Sequence, residues 1–358
     1  LDFAPLDQIE FEEASLTPED LVPVDDPLAA PPQTEISVDP TSSMSELTAP
    51  TIGLALTGRE PGMKKALLAA YGGNATTEAA VKAGLLWLKK NQHRDGSWSL
   101  RGPYHDGGST ENHVAATAMA LLAFQGAGHT HLKGEHKDVV AKGWNWLLKQ
   151  QQKDGSFVPA GVPEHHRLYT HAQATIALCE LYGMTDDSKY RQPAQDAVNF
   201  SVNAQDEAGG WRYYPRRDSD TSVTGWFVMA LQSALMAKLE VPSPTLAKIH
   251  KFLDSVAVDG GRRYQYRPES HENYAWSAEG LLCRQYLGWK QDDARLVEGL
   301  ARIVDNPINY SDQNVYYWYY ATQAAHHMEG DVWERWNRVM RQAVPAAQVK
   351  SGPAEGSW

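Results

Sequence analysis

Two carboxylates two residues apart, Asp218 and Asp220, are the side chains of this sequence best placed for acid–base chemistry. They precede an apolar run, Val223 to Leu231, with helical periodicity, so Asp220 falls at an N-cap position. The amides and dipole of a helix start favour an ionised carboxylate, whereas burial and the like charge of Asp218 favour the protonated form. The segment therefore predicts either a plain helix cap or a general acid, and the residues alone leave both open.

Cysteine and histidine side chains do not form the pattern of a metal site. Cys179 and Cys283 each follow a leucine at matching positions of apolar runs, which is typical of small core residues. Two cysteines also cannot build a four-cysteine zinc site or a disulfide framework. Scattered histidines without a carboxylate at helical spacing are expected in loops or caps: His129, His131, His165, His166 and His171. We therefore predict no metal and no cofactor.

Charge is distributed unevenly along the 358 residues. The net charge is −11, but residues 1 to 50 carry 12 acidic side chains and the first basic one is Arg59, which leaves 33 basic against 32 acidic side chains afterwards. A near-neutral body behind an acidic leader argues against nucleic-acid binding, which requires a basic face.

The apolar residues, 42% of the chain, suffice for a sizeable core but do not form a membrane span. No basic start followed by an apolar run marks a secretory signal, so the chain as given is expected to be soluble. Because it begins at Leu1 rather than a methionine, the compartment is unassigned, and membrane association through an upstream segment is left open.

Residues 1 to 58 have the composition of a disordered acidic linker. Eight prolines stand among acids, serines and threonines, and such a segment cannot bury enough apolar surface to offset its ordering entropy. The alternatives are a partner-binding tail or a spacer from a membrane. Residues 59 to 358 are expected to form the folded domain.

This domain repeats itself with a period of roughly 53 to 59 residues. Each clear unit places one aromatic residue, a glutamine and a glycine ahead of a final aromatic residue, and the terminal aromatics are Trp98, Phe157 and Trp211. A weaker unit ends at Tyr264 with Ala257 in the glutamine position, and Gln348 to Trp358 looks like the start of another. The glutamine is expected to satisfy carbonyls at a helix end or to bridge to the next helix.

Runs that are apolar on nearly all faces alternate with amphipathic runs, which predicts buried inner helices and exposed outer ones. No strand-like stretch lies between them, so we predict an all-α fold, an α/α toroid of concentric inner and outer helices. Five inner helices are visible, and the sixth of a closed ring would lie beyond Trp358 or be supplied by the segment from Met63 to Tyr71. We expect the first case, in which the toroid is truncated at its C-terminus. The five runs are Val114 to Ala127, Thr170 to Gly183, Val223 to Ala237, Ala275 to Gly288 and Val315 to His327.

The repeat units resemble the QW repeats of the terpenoid cyclase and protein prenyltransferase superfamily, over Thr76 to the end of the chain. Gly209-Gly210-Trp211 and Asp220-Thr221-Ser222 also resemble bacterial proteins with prenyltransferase and squalene oxidase repeats, similar to squalene–hopene cyclases. The resemblance implies a toroid that binds an apolar isoprenoid or another lipid.

In squalene cyclases an Asp-x-Asp-Asp-Thr-Ala segment opens an inner helix and its central acid protonates an alkene. The resemblance therefore implies that Asp220, with Asp218, is catalytic, although one carboxylate of the pattern is missing here. The zinc ligands of prenyltransferases have no matching Asp-x-Cys pair in this sequence.

A cyclase also needs aromatic faces that stabilise carbocations. The inner runs offer aromatic side chains for this purpose, but consecutive aromatics from 316 to 320 must point in all directions around a helix. The expected substrate-binding residues are Trp226, Tyr274, Trp276, Tyr317 and Trp318.

Three functions remain open at this stage. The first is a cyclase-like isomerase that protonates a polyprene in a central apolar cavity. The second is a non-catalytic toroid that binds a lipid, glycan or protein. The third is a carbohydrate-active enzyme with a carboxylate pair, for which Glu111 or Glu272 would act with Asp220.

Overall fold

Twelve α-helices account for most of the part of the chain that the computed structural model describes, residues 56–59, 61–104, 106–158 and 160–358. They alternate between an inner and an outer layer. The inner helices are α3 (His113–Gly126), α5 (Arg167–Thr185), α7 (Thr221–Met236), α9 (Tyr274–Tyr286) and α11 (Val315–Met328). Helix α1 (Pro61–Ala70), from the segment expected as the sixth, has no fully buried side chain among those described. The outer helices are α2 (Ala75–Lys90), α4 (Lys137–Leu147), α6 (Ser188–Asn203), α8 (Ser243–Val256), α10 (Ala294–Val304) and α12 (Gly330–Ala347).

The five predicted inner runs are helices with bounds within a few residues of those expected. Each packs against the next in chain order, from α3 to α11. Helix α7 is buried at every position from Thr221 to Ala234, because its sequence is apolar nearly all round. The all-α toroid predicted from the sequence is confirmed.

The outer helices bury one stripe each. In α4 the stripe comprises Val140, Trp144 and Leu147, while the charged side chains of the same helix face outward. Because consecutive helices are antiparallel, all the inner helices start at one end of the ring, which we call the N-terminal face.

The repeated glutamines bridge neighbouring outer helices as expected. In the first unit Nε2 of Gln92 donates to the carbonyl of Gly96, in its own turn, and to that of Val139 on α4. The same pair of bonds recurs at Gln151 and Gln205. These bonds satisfy carbonyl groups that the helix ends leave without partners.

A glutamine also bridges the last outer helix to the first. Nε2 of Gln348, directly after α12, donates to the carbonyl of Ala80 on α2 at 2.8 Å. Helix α1 lies beside this contact, since the carbonyl of Tyr71 accepts from Trp333 and Asn337 of α12. The outer layer is therefore a closed ring of six helices within the described residues.

The weaker repeat unit contains a feature that the sequence did not predict. A short antiparallel hairpin follows α8, and its two strands, β1 (Ala257–Val258) and β2 (Arg263–Tyr264), have two residues each. Because Ala257 replaces the bridging glutamine, backbone pairing holds this turn instead.

The predicted linker falls almost wholly outside the described residues, which begin at Leu56 with a 3₁₀ turn, Thr57–Arg59. Among the helices of the described part, none has the length and apolar character needed to span a bilayer.

Candidate functional site

Asp220 is the N-cap of the inner helix α7 at the N-terminal face. A helix cap was one of the two roles that the sequence left open for this residue. Its Oδ1 accepts a hydrogen bond from the backbone N–H of Val223 at 2.7 Å, and the side chain is fully buried. The equivalent caps of α3, α9 and α11 are Asn112, Asn273 and Asn314. Asp220 is thus the ionisable member of a set of otherwise neutral caps.

The other oxygen of Asp220 has a second set of donors. Oδ2 accepts from the hydroxyl of Tyr266 at 2.8 Å and from Nε of Arg212 at 3.1 Å. Burial nevertheless raises the pKa of Asp220 to about 6, against the opposing effect of these bonds. Asp220 is therefore a carboxyl group that changes charge close to neutral pH.

Asp218 does not share this environment. Its Oδ2 accepts from Nη1 of Arg212 at 2.6 Å, and its side chain is partly exposed. Arg212 thus joins the two predicted carboxylates, one on each side of its guanidinium. The structure brings Asp218 and Asp220 together but gives them different roles.

Glu279 is a buried acid that our reading of the sequence missed. It lies on α9 with no exposed surface, and its Oε2 accepts from the hydroxyl of Tyr316 at 2.8 Å. Its Oε1 has no hydrogen-bond partner among the described residues. Burial raises the pKa of Glu279 well above its usual range, which favours the protonated, uncharged form of the side chain.

A glycine on the neighbouring inner helix makes room for this acid. A Cβ atom added at Gly225 of α7 would lie only 2.0 Å from Oε1 of Glu279. The sequence signal was present, since Glu279 is an acid inside an apolar run. Its partner Gly225 could be identified only from the packing of the two helices.

Each of the two acids is hydrogen-bonded to a chain of hydroxyl groups. The Tyr316 hydroxyl that binds Glu279 also lies 2.6 Å from Oγ of Ser222, which accepts from the hydroxyl of Tyr169 at 2.6 Å. On the Asp220 side, the hydroxyl of Tyr266 lies 3.0 Å from that of Tyr213. Each buried acid is therefore connected through hydroxyls to partly exposed tyrosines.

The predicted aromatic residues do not all face the interior. Trp226 does, because its ring stacks on that of Tyr319 at 5.4 Å. Tyr317 lies between the layers, where its hydroxyl donates to the carbonyls of Ile303 and Asn306. For Tyr317 the cavity-lining expectation is therefore corrected.

The remaining three aromatic predictions pack against other rings. The ring of Tyr274 lies beside that of Tyr317, Trp276 packs against Tyr266 at 5.2 Å, and Trp318 packs against Tyr310 at 4.9 Å. For Tyr317 and Trp318 the helix period explains the placement, because the inward face of α11 carries residues three and four apart. The residues on that face are Tyr316, Tyr319, Tyr320 and Gln323.

The interior is layered along the helix axes. Acids and hydroxyls lie near the helix starts, the aromatic rings of Trp226, Tyr319 and Tyr320 lie in the middle, and a cavity of about 230 Å³ lies near the helix ends. Arg59 lines this cavity, and its Nη1 forms an ion pair with Oε2 of Glu180 at 2.6 Å. The turn before α1 therefore narrows one end of the interior.

Other candidate residues have structural partners. Cys179 and Cys283 are free and buried in the core, as expected. His171, expected in a loop or cap, is instead buried within α5, and burial lowers its pKa to about 3. Its neutral ring accepts from the backbone N–H of Phe157 and lies 2.9 Å from Oγ of Ser201.

The carboxylates considered for a carbohydrate site are also bonded. Glu111 accepts from the hydroxyl of Ser99 at 2.5 Å and from the N–H of Leu100 at 3.0 Å. Glu272 accepts from Arg263 and Arg302. Both acids hold loops at the N-terminal face.

Two family models match parts of the chain. The squalene–hopene cyclase C-terminal domain matches residues 62–172, and the pectic acid lyase model matches residues 170–227. The second match includes all but the first three residues of α5, together with Asp218, Asp220 and the first turns of α7.

Two curated relatives are squalene–hopene cyclases. A probable squalene–hopene cyclase of Sinorhizobium fredii is 29% identical over 152 residues, which is 40% of this chain and 22% of that protein. The squalene–hopene cyclase of Bradyrhizobium diazoefficiens is 25% identical over 195 residues, which is 54% of this chain and 21% of that protein. The chain thus spans about a fifth of the length of the curated relatives it matches.

A solved structure shares the fold. A variant of the type II terpene cyclase MstE from Scytonema, in complex with its product merosterolic acid A, aligns with a TM-score of 0.53 and 13% identity. The alignment covers 79% of this chain and 82% of that one. Sequence matches and fold together support the terpenoid cyclase-like superfamily that the repeats predicted.

Proposed function

We propose that this chain, which is terpenoid cyclase-like in sequence and fold, binds an apolar isoprenoid and isomerises it by protonation. The observation that carries the proposal is a fully buried carboxyl group, Glu279, which is held inside a ring of helices with one oxygen bonded to Tyr316 and the other without a partner among the described residues. Alkene protonation requires an acid that arrives protonated, and burial supplies this condition.

The two acids differ in the pH range in which each can donate a proton. The raised pKa of Glu279 favours its protonated form, whereas Asp220, with a pKa of about 6, is mostly ionised at neutral pH and gains its proton as the pH falls. Pairs of acids whose surroundings separate their pKa values divide donor and acceptor roles. Glu279 is the donor at neutral pH, and Asp220 accepts a proton there and becomes a second donor below about pH 6.

Glu279 would be the proton donor. As its O–H bond breaks, a C–H bond forms on the alkene of the substrate, and the hydroxyl of Tyr316, which donates to Oε2 of Glu279 at 2.8 Å, stabilises the carboxylate that is left. The resulting carbocation faces the rings of Trp226 and Tyr319, whose π-faces attract cations. Loss of a neighbouring proton to ionised Asp220 then completes an isomerisation with no net change in the atoms of the substrate. Exchange with solvent through the tyrosine hydroxyls returns a proton to Glu279 and removes one from Asp220.

The interior favours a short substrate. The cavity of about 230 Å³ near the helix ends is smaller than the roughly 300–1,000 Å³ of typical ligand pockets. Displacement of Arg59 from Glu180 would enlarge it. We therefore expect shorter prenyl chains to be preferred over a C30 polyprene.

The test compares isosteric variants on isoprenoid substrates of increasing length. Product analysis by mass spectrometry at pH 7 should show conversion by the native chain, loss of conversion in Glu279→Gln, and a smaller loss in Asp220→Asn. Asp187→Asn is the matched control. Like Asp220, Asp187 is an aspartate that caps a helix, but its helix is α6 of the outer layer and its bond is with the N–H of Lys189. Equal activity of Glu279→Gln and the native chain would overturn the proposal.

A second candidate function rests on the match of residues 170–227 to pectic acid lyase. Two guanidinium groups flank the ring of Tyr214 at the N-terminal face, Arg167 at 5.6 Å and Arg217 at 5.2 Å from its centroid. Such arginines suit the carboxylates of an acidic polysaccharide. Incubation with pectic acid, followed by chromatography of the released oligosaccharides, tests it, and an unchanged polymer would exclude it.

A further inference from the structure

The seam between the first and last outer helices contains a long groove that the proposed function does not use. Two cavities, of about 660 and 430 Å³, lie along α1 and α2, and both are within the usual size range of ligand pockets. Both are lined by Lys64, Leu68, Glu78, Val81 and Gly126, so they are continuous. We call the two together the seam groove.

Its walls expose apolar side chains that the other repeats bury. The final aromatic of each earlier unit is buried, as in Trp98 and Trp211, whereas Trp358 is 54% exposed at one end of the groove. Val81 of α2 is 42% exposed in the shared middle part. A continuous apolar surface of this kind marks a binding site more often than isolated exposed residues do.

The opposite end carries one uncompensated positive charge. Arg341 of α12 lines it and has no carboxylate partner among the described residues. The other two cations of the groove are paired, Lys64 with Glu78 at 3.3 Å and Arg59 with Glu180. The groove thus has the charge pattern of an amphiphile receptor, with a single cation at one end and an apolar channel leading away from it.

We propose that the seam groove binds one long-chain carboxylate, a fatty acid. Its carboxylate pairs with the guanidinium of Arg341, for which the planar, two-pronged geometry is well suited. Its chain runs past Leu68 and Val81 to Trp358. The single charge of a carboxylate matches one arginine, whereas a diphosphate would require several cations.

The test uses the full chain, with palmitate and hexadecanol as probes below their aggregation concentrations, and equilibrium binding measured by calorimetry. Palmitate should bind saturably at one molecule per chain. Arg341→Gln should weaken palmitate binding at least tenfold and leave hexadecanol binding unchanged. Arg338→Gln, three residues earlier on the same helix and outside the two cavities, should leave both probes unaffected.

A blocking variant tests the channel itself. Val81→Trp should abolish binding of both probes, since it fills the part common to both cavities. Val297→Trp is the control, because Val297 is also 42% exposed on an outer helix but lies on α10, away from the groove.

Absence of saturable binding to the full chain would overturn the proposal, whether the groove is covered by another segment or by a second copy. Palmitate binding that survives Val81→Trp would also overturn it, because the site would then lie elsewhere. Failure here leaves the isomerase proposal untouched, since that proposal rests on Glu279.

Discussion

Asp220 and Glu279 are both fully buried acids near the N-terminal face, but the protein surrounds them differently. Asp220 accepts from a backbone amide, a tyrosine and an arginine, all of which stabilise its charge. Glu279 has one tyrosine and an oxygen without a partner. The comparison teaches that burial alone does not determine the protonation state, because the number and charge of the donors decide how far the pKa rises.

The largest expected effect is the pH dependence of stability that comes from Asp220. Its folded pKa of about 6 exceeds the unfolded value near 3.9, so the folded state binds the proton more tightly. This contribution to stability is fully present below about pH 4 and is lost as the pH rises through 6, by about 3 kcal/mol. The free energies of unfolding of the native chain and Asp220→Asn, measured from pH 4 to 7, should therefore change relative to each other by that amount.

Parallel curves for the two proteins would contradict the raised pKa. Glu279→Gln gives a second comparison, because Glu279 is ionised in the unfolded chain above about pH 4 while burial raises its pKa in the folded chain. Replacing it by an amide should therefore also remove a loss of stability that grows as the pH rises over the same range.

The second effect tests the space around Glu279. Gly225→Ala should destabilise the protein by about 2 kcal/mol, because the new methyl group would overlap Oε1 of Glu279. Gly126→Ala is the matched control at the end of inner helix α3, where an added Cβ meets nothing within 4 Å. There the substitution should be neutral or stabilise by about 0.5 kcal/mol. Thermal and urea unfolding give the stability change of each variant. Equal changes in Gly225→Ala and Gly126→Ala would show that Glu279 is not tightly enclosed.

The smallest effect separates the two hydroxyl partners. Tyr266→Phe removes a donor from Asp220 and should raise its pKa above 6, with a loss of stability of about 1 kcal/mol. Tyr316→Phe removes the donor to Glu279 and should leave the Asp220 titration unchanged. Carboxyl-carbon NMR titration of the two variants distinguishes these outcomes, and a shift of Asp220 in Tyr316→Phe would mean that the two acids form one coupled system.

The helical architecture and the cap at Asp220 could be predicted from local signals. Apolar runs with helical periodicity give inner helices directly, and an aspartate before such a run caps it. The run predicted from Val223 to Ala237 is the observed Thr221–Met236. These features depend on residues close together in sequence.

Glu279 and the inward face of α11 could not be predicted in the same way. Periodicity shows that Tyr316, Tyr319 and Tyr320 share a face, but it does not say which face points inward. That depends on the contact of Trp226 with Tyr319 and of Glu279 with Tyr316, which join helices far apart in sequence. The depth of burial that raises the pKa of Glu279 likewise arises only when α7, α9 and α11 pack together.

The most direct test of the account is the protonation state of Glu279 at neutral pH. Infrared difference spectra between the native chain and Glu279→Gln at pH 7 report the carbonyl stretch of a protonated carboxyl group. We predict that the native chain and Asp220→Asn both show this band and that Glu279→Gln lacks it. A carboxylate band in its place would show that Glu279 is ionised, and the protonation mechanism would then have no donor at neutral pH.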